Sequence, residues 1–186
     1  AFDVVLPTSI PEKGAVLCQL SLYWFNKTSH LVPNHLVAMA SERPELSLPT
    51  EISRRSMIVR KAERVDVECI ARGYITGSAW DEYQEKGTVS GLRVPRGMKE
   101  GDKFPDPLFT PTTKAEVGHD EVMSLEELKN MVGSDTAKVL SETTIAVYQF
   151  AHELALEKGI IIADTKMEFG FIDGRLSIID ELLTPD

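Results

Sequence analysis

The stretch that most constrains the fold is residues 160–186, IIIADTKMEFGFIDGRLSIIDELLTPD. The apolar run Ile160 to Ala163 reads as a short buried strand. Asp164, Lys166 and Glu168 then alternate with Thr165, Met167 and Phe169. A period of two puts the three charges on one face and the mostly apolar set on the other. A turn at Ile172, Asp173 and Gly174 leads into a second strand that ends in Asp180. The length of that turn decides what Asp180 meets. A two-residue Asp173-Gly174 turn pairs Met167 with Asp180 and leaves Glu168 on the opposite face. A three-residue loop pairs Lys166 with Asp180 and gathers Asp164, Lys166, Glu168 and Asp180 on one surface. Glycine suits the left-handed last position of the longer loop, which is therefore the expectation. Three carboxylates and one lysine on one face repel unless a cation joins them. A hard cation such as Mg²⁺ suits two carboxylates plus phosphate oxygens. The same alternation also describes the solvated outer face of an edge hairpin.

Composition narrows the remaining choices. A chain of 186 residues fits one domain or two small lobes, with enough length to bury a core. Hydrophobic residues at 42% and charged residues at 26% are ordinary for a globular protein. A net charge of −9 argues against a nucleic-acid-binding surface, while leaving room for a nucleotide held by a local cluster of lysine and arginine. Cys18 and Cys69 lie in apolar surroundings without ligand spacing and read as reduced core residues of a cytoplasmic protein. No apolar run approaches the ~20 residues of a membrane span, and no signal-peptide pattern opens the chain, so no membrane partner is expected. The chain starts without methionine in the strand-like AFDVVL and stops directly after a motif, so both ends read as cut.

Along the chain, Phe2 to Leu6 reads as a strand. A helix follows Pro11-Glu12-Lys13-Gly14, with Leu17, Leu20, Ser21, Trp24 and Phe25 on its core face. Residues 41–55 are a polar loop with two prolines. Strands are expected at Ser56–Arg60 and Asp66–Tyr74. The connection Lys61–Val65 between them reads, on local grounds, as a hairpin turn. In RGYITGSAWDEYQEKG, Gly77 frees the chain to turn, Ser78 is placed to cap a helix with Asp81 completing a capping box, and Gly87 ends it. The free amides of such a helix start suit a phosphate, and Arg72 would add a fork of donors; an ordinary capped helix explains the same residues. Residues 88–107 read as a surface excursion with a short strand or turn. Lys114, His119 and Asp120 fall in a loop, and His119 has no second histidine or cysteine at ligand spacing. Ser124 and Glu127 form an S-x-x-E start for a helix ending at Gly133. A longer helix runs from Ser134 or Asp135 to about Lys158. Its stripe is Val139, Leu140, Thr143, Val147, Phe150, Ala151 and Leu154, with His152 at the margin.

Four of these segments resemble one family. DTKMEFG followed by IDELLTPD resembles the D-x-K-x-E-F-G and D-E-x-x-(T/S)-P-D motifs of SAICAR synthetases. RGYITGS resembles their R-x-x-x-x-G-S signature, and KAEVGHDE their T-K-x-E-x-G-x-H-D-E-like stretch. The resemblance implies a two-lobed α+β fold: a β-rich N-terminal lobe (1–60), a hinge (61–66), and a mixed α/β lobe (67–186), with ATP between the lobes. It implies the ATP-dependent joining of L-aspartate to carboxyaminoimidazole ribonucleotide (CAIR). Glu168 and Asp180 are implied to hold Mg²⁺. Val59, Lys61, Arg64, Glu68 and Lys114 are implied to meet ATP, the first four as adenine neighbours and Lys114 at the phosphates. Lys166 would balance the charge of the reacting groups and Asp164 would orient the ribonucleotide. Arg72 and Ser78 would hold its 5′-phosphate, with Gly77 as backbone support, and Asp120 would lie nearby. The family's Gly-rich phosphate loop upstream and Ser-Arg pair downstream are expected to lie outside these residues. Two other readings compete: an inactive nucleotide-binding fragment, and a small-molecule kinase using the same metal and lysine parts.

Overall fold

The computed structural model describes residues 7–114 and 121–185. The expected strand at Phe2–Leu6 and the loop residues His119 and Asp120 lie outside the described residues. The fold is α+β. Helix α1 (Lys13–Thr28) precedes β1 (Leu36–Met39). Short helical turns, among them α2 (Thr50–Ser53), lead to β2 (Met57–Val59) and β3 (Glu63–Tyr74). Then come α3 (Gly77–Lys86), β4 (Thr88–Val89), β5 (Leu92–Arg93), β6 (Lys103–Phe109) and β7 (Thr112–Thr113). Helices α4 (Leu125–Val132) and α5 (Ser134–Leu156) lead to β8 (Asp164–Ile172) and β9 (Arg175–Ile179). The main sheet is antiparallel in the order β6-β3-β8-β9, with β7 also on β3. Strands β1 and β2 pair in a separate sheet, and β4–β5 is a small hairpin.

Strand β3 sits at the centre of the architecture because its two faces have different chemistry. Val65, Val67, Cys69 and Ala71 are buried. With Met167 and Phe169 of β8, most of that face joins one core, to which α5 adds Leu140, Val147 and Ala151 and α1 adds Trp24 and Phe25. Each such aliphatic or aromatic side chain contributes roughly 1.5–3 kcal/mol by leaving water. The even-numbered face carries charge instead. A smaller cluster of Ile75, Ala79, Val89 and Phe104 fixes α3 and the β4–β5 hairpin beside β6.

Several sequence expectations hold. Ser124 and Glu127 form the capping box of α4 in full, and Gly133 closes it. The C-terminal cap of α3 is Gly87, whose amide donates to the Tyr83 carbonyl. Others are corrected. The turn between β8 and β9 has two residues, not three: Ile172 pairs with Arg175, and Asp173 and Gly174 both take positive φ, at 49° and 73°. Two successive left-handed residues match the twist of the flanking strands, and Asp-Gly is a favoured pair for that geometry. Ile160–Ala163 is not a buried strand; Ile160 and Ile161 are 60% and 59% exposed. The excursion at 88–107 hides the beginning of β6, a full strand of the main sheet. Pro105 and Pro107 argue against a central strand, but β6 lies at the edge, where a missing amide costs no ladder bond. Residues 61–65 are not a hairpin turn, since β2 and β3 belong to different sheets and β3 already begins at Glu63. The buried stripe of α5 includes Ala137, Thr144, Tyr148 and His152, whereas Val139 is exposed. The helix is rotated because Tyr148 and His152 find polar partners inside.

Two glycines are required by close approach. A Cβ on Gly170 would lie 3.0 Å from the Glu63 carbonyl oxygen and 2.9 Å from the Ala62 Cβ, so its absence lets β8 pass against residues 62–63. A Cβ on Gly73 would lie 2.6 Å from the Tyr148 Cζ and closer still to its hydroxyl. Gly73→Ala is therefore expected to cost about 2–3 kcal/mol in urea unfolding; an unchanged midpoint would mean that Tyr148 does not fill that space. Burial pushes the Cys69 thiol from 9.0 up to about 12, a hydrogen bond with Thr144 opposing and Glu68 adding to the rise. Its contribution to stability is complete below pH 9.0 and is lost as pH rises toward 12. Iodoacetamide at pH ~8.5 should leave Cys69 unmodified in the folded protein and label it in urea, as mass spectrometry would read.

Candidate active site

The charged face is built by cross-strand pairing. Glu68 of β3 lies opposite Glu168 of β8, Ile70 opposite Lys166, and Arg72 opposite Asp164. Glu68 and Glu168 are both buried, at 6% and 7% exposure. Two carboxylates at cross-strand distance repel by roughly 3 kcal/mol at an effective dielectric near 20. The fold answers with two lysines. Lys166 Nζ lies 2.8 Å from Glu68 Oε1, and Lys114, just beyond β7, pairs with Glu168. The Thr112 hydroxyl also donates to Glu68, at 3.5 Å. The result is a four-membered set of alternating sign, with Lys166 reaching from β8 to β3 and Lys114 reaching from the end of β7 past β3 to β8.

At the other end of this face, Arg72 is largely buried. Its Nε donates to the Thr110 hydroxyl at 3.1 Å, and its Nη1 lies 3.7 Å from Asp164 Oδ2. Burial lowers its pKa, while Asp164 and Glu82 pull it back, so it stays a cation. Glu82 also braces the β4–β5 turn, accepting from the Thr88 hydroxyl and from the amides of Ser90 and Gly91. Burial raises the Glu82 pKa, but the bonds from Gly91, Thr88 and Ser90, with Lys86, outweigh it and hold the carboxyl below its ordinary value. The start of α3 differs from the sequence expectation. Thr76, not Ser78, occupies the N-cap position, and no side chain caps the helix. Gly77 turns the chain with φ of 52°, and Ser78 is exposed in the first turn without a capping bond. The first-turn amides are thus left without a side-chain acceptor.

Asp180 reaches the site by a route that strict alternation forbids. The observed register pairs Glu168 with Ile179, so Lys166 does not pair with Asp180 as expected. Continued as a strand, Asp180 would fall opposite Met167 on the core face. Instead it takes φ of 64° and leaves the sheet. Its carbonyl accepts from His35 Nε2 at 3.1 Å, and two residues on, the Leu182 amide donates to the Ser21 hydroxyl at 2.8 Å while Leu182 is buried. Burial lowers the His35 pKa, with the Asp180 carbonyl and charge opposing, so the ring donates as neutral imidazole.

A cavity of about 590 Å³ collects these elements. Asp164, Lys166, Glu168 and Asp180 all line it, as the sequence predicted, and Glu181 joins them. Its lining is mostly apolar elsewhere, with Tyr23, Trp24, Ile160 and Ile161. Glu68, Lys114 and Arg72 do not line it but are ion-paired to residues that do, Lys166, Glu168 and Asp164 respectively. Gly77 and Ser78 do not line it, nor do Val59, Lys61 and Arg64; Val59 and Lys61 are exposed, and Arg64 is paired with Asp66 at 2.7 Å. Among the described residues no three His, Cys, Asp or Glu side chains form a ready metal cluster. Two carboxylates sharing one cavity nevertheless fit Mg²⁺, which keeps several waters and completes its shell with phosphate oxygens. Sequence reasoning missed Thr110, in the link between β6 and β7, and Thr112 of β7, a strand it did not assign. It also placed Glu68 weakly, although Glu68 shares the parity of Arg72 on one strand.

The sequence profile of the SAICAR synthetase family matches residues 1–186. The phosphoribosylaminoimidazole-succinocarboxamide synthase of Thermodesulfovibrio yellowstonii is 54% identical, over 100% of this chain and 65% of its own length. That of Xanthomonas axonopodis is 50% identical, over 100% and 61%. The solved SAICAR synthase from Saccharomyces cerevisiae, complexed with SAICAR, shares 44% identity and a TM-score of 0.89, covering 100% of this chain and 64% of that one. The chain therefore spans a little under two thirds of the length of these relatives.

The ion pairs generate a stability test. Lys114→Met leaves the Glu168 carboxylate buried beside Glu68 without its counter-charge, and is expected to cost about 1–3 kcal/mol in urea unfolding at pH 7. Lys129→Met, which removes an exposed partner of Glu126, should cost under ~0.5 kcal/mol. Equal losses in the two variants would contradict the buried pairing.

Proposed function

Because the chain belongs to the SAICAR synthetase family, we propose that the protein joins L-aspartate to CAIR at the expense of ATP, giving SAICAR, ADP and phosphate in purine biosynthesis in the cytoplasm. The observation that carries this reading is the convergence of Asp164, Lys166, Glu168 and Asp180 on one cavity. A carboxylate resists amine attack because its leaving group would be oxide. Transfer of the γ-phosphoryl group to a carboxylate oxygen of CAIR makes an acyl phosphate and releases ADP. The amine of aspartate attacks the carbonyl carbon, the C–O bond to phosphate breaks, phosphate leaves with that electron pair, and the amine loses a proton. Such a sequence asks for charge neutralisation and alignment more than for a strong base.

The residues divide this work by position. Lys166 and Lys114 are the cations beside the carboxylates, suited to the negative charge of the reacting carboxylate and phosphates. Mg²⁺ held by Glu168 and Asp180 would neutralise phosphate oxygens. Asp164 orients the ribonucleotide. Arg72 and the start of α3 at Gly77 and Ser78 bind its 5′-phosphate, a role supported by the cationic fork and by a helix start that no side chain caps. Asp120, through the family resemblance of KAEVGHDE, is assigned to binding the same substrate. Adenine lies against a hinge at 61–66, with Val59, Lys61 and Arg64 around it and Glu68 as a further neighbour. The hinge divides a lobe of residues 1–60 from one of residues 67–186; the separate sheets of β2 and β3 support that division, while Trp24 and Phe25 of α1 pack into the core of the second lobe.

ADP release should require both CAIR and aspartate in the full-length protein. Glu168→Gln and Asp180→Asn should each lower turnover by about 10²-fold or more. Asp180→Asn, at an exposed position, should leave the thermal midpoint within about 2 °C. ADP release with a stable phosphorylated product in the absence of aspartate would point to a kinase instead. No ADP under any condition would point to a nucleotide binder.

A further inference from the structure

The described residues hold one buried polar side-chain atom without a partner, Nδ1 of His152 on α5. The group around it has no part in the chemistry above. His152 stacks on Tyr148, with ring centroids 5.6 Å apart and planes at 15°. On its other side His152 Nε2 lies 3.4 Å from the Tyr74 hydroxyl. The ring is held by two tyrosines rather than by bonds at both nitrogens, so the cluster acts as a wedge between α5 and the end of β3.

Tyr148 is the working member. Its hydroxyl donates to the Ile162 carbonyl at 2.8 Å. The next carbonyl, of Ala163, accepts from the amides of Gly73 and Tyr74 at 2.9 and 3.2 Å. Residues 162–163 have no strand geometry of their own, yet both carbonyls are tied, one to the helix and one to β3. Gly73 supplies the space for the Tyr148 ring. Asp164 follows the clamped segment directly, Arg72 precedes Gly73 directly, and the two are cross-strand partners. Burial raises the Tyr148 pKa, and Tyr74 and Asp164 raise it further, so the hydroxyl remains a neutral donor. Packing alone would be served by phenylalanine; the hydroxyl is what ties the segment.

We propose that Tyr148 is a positioning residue: through Ile162 it fixes the strand ends that present Arg72 and Asp164, and so sets affinity for the phosphorylated ribonucleotide. This rests on the reading that Arg72 and Asp164 meet that substrate. Tyr148→Phe keeps the ring and the stack and removes only the donor. In the full-length protein, amide exchange at Gly73 and Tyr74 should quicken at least about tenfold (near 1.4 kcal/mol of local opening) while Val67 and Cys69 stay unchanged. KM for CAIR should rise about fivefold or more, with KM for ATP within about twofold and kcat within about threefold. Unchanged exchange at Gly73 and Tyr74 overturns the clamp whatever the activity. Faster exchange with KM for CAIR and ATP unchanged, or moved equally, overturns the positioning role. A wild-type protein that makes no SAICAR removes the substrate half through the function itself, and the exchange rates then still decide whether the clamp exists.

Discussion

The structure turns on the apposition of Glu68 and Glu168 across β3 and β8, neutralised by Lys166 and Lys114. Such a set is a poor device for stability. Buried ion pairs lose much of their Coulomb gain to desolvation, and apolar residues of similar volume often serve as well. Folding therefore supplies no reason for four charges on the half-buried face of a central strand pair. What the set does supply is two carboxylates and two ammonium groups held at defined positions before any ligand arrives. Pre-positioned charge of this kind needs no reorganisation when a polyanion binds, and that is where electrostatic catalysis gains most.

Rigidity behind the face comes from the other side of the same strands. Val67, Cys69, Met167 and Phe169 lock β3 and β8 against α5 in a close-packed core. Because side chains alternate, every core contact on an odd residue also fixes the direction of its even neighbour. The two ends of β8 are tied differently. Its start is held by carbonyls at Ile162 and Ala163 that reach α5 and β3. Past its end, the two-residue turn and β9 deliver Asp180, which His35 and Ser21 then tether through the backbone on either side of Glu181. The carboxylates that line the cavity thus sit on segments fixed by main-chain bonds.

Much of this was legible in the sequence where one local rule acted alone. The alternation of Asp164, Lys166 and Glu168, the Ser124–Glu127 box and the Gly87 stop each follow from nearest-neighbour chemistry, and each is present. The sequence misled where a second constraint intervened. Asp173-Gly174 offers two left-handed residues, and the shorter turn uses both; the longer loop is the sequence expectation because glycine also suits its left-handed last position, so glycine alone does not separate the two. A left-handed Asp180 reaches the cavity without shifting the register, and no periodicity argument can foresee a single residue leaving the strand. Pro105 and Pro107 disguised β6, whose edge position is a tertiary fact. Ser78 looked like a cap, but Gly77 moved the helix start back by taking a positive φ. Ile160 and Ile161 looked like core because hydrophobicity does not distinguish a strand interior from a cavity wall.

That last confusion bears on mechanism. The cavity sets a charged floor against a wall of Tyr23, Trp24, Ile160 and Ile161. Ile160 and Ile161 are exposed within that lining, and apolar surface left open in a cavity asks what it does. It gives water few hydrogen-bond partners, and it lowers the local dielectric, which strengthens the attraction between Lys166 and any anion near it. In the proposed chemistry both effects are needed at one place. An acyl phosphate is open to hydrolysis as well as to the amine of aspartate, and only the amine gives product. A wall that disfavours ordered water beside the charged floor tilts that competition toward the bound amine, and it does so without a residue dedicated to the task.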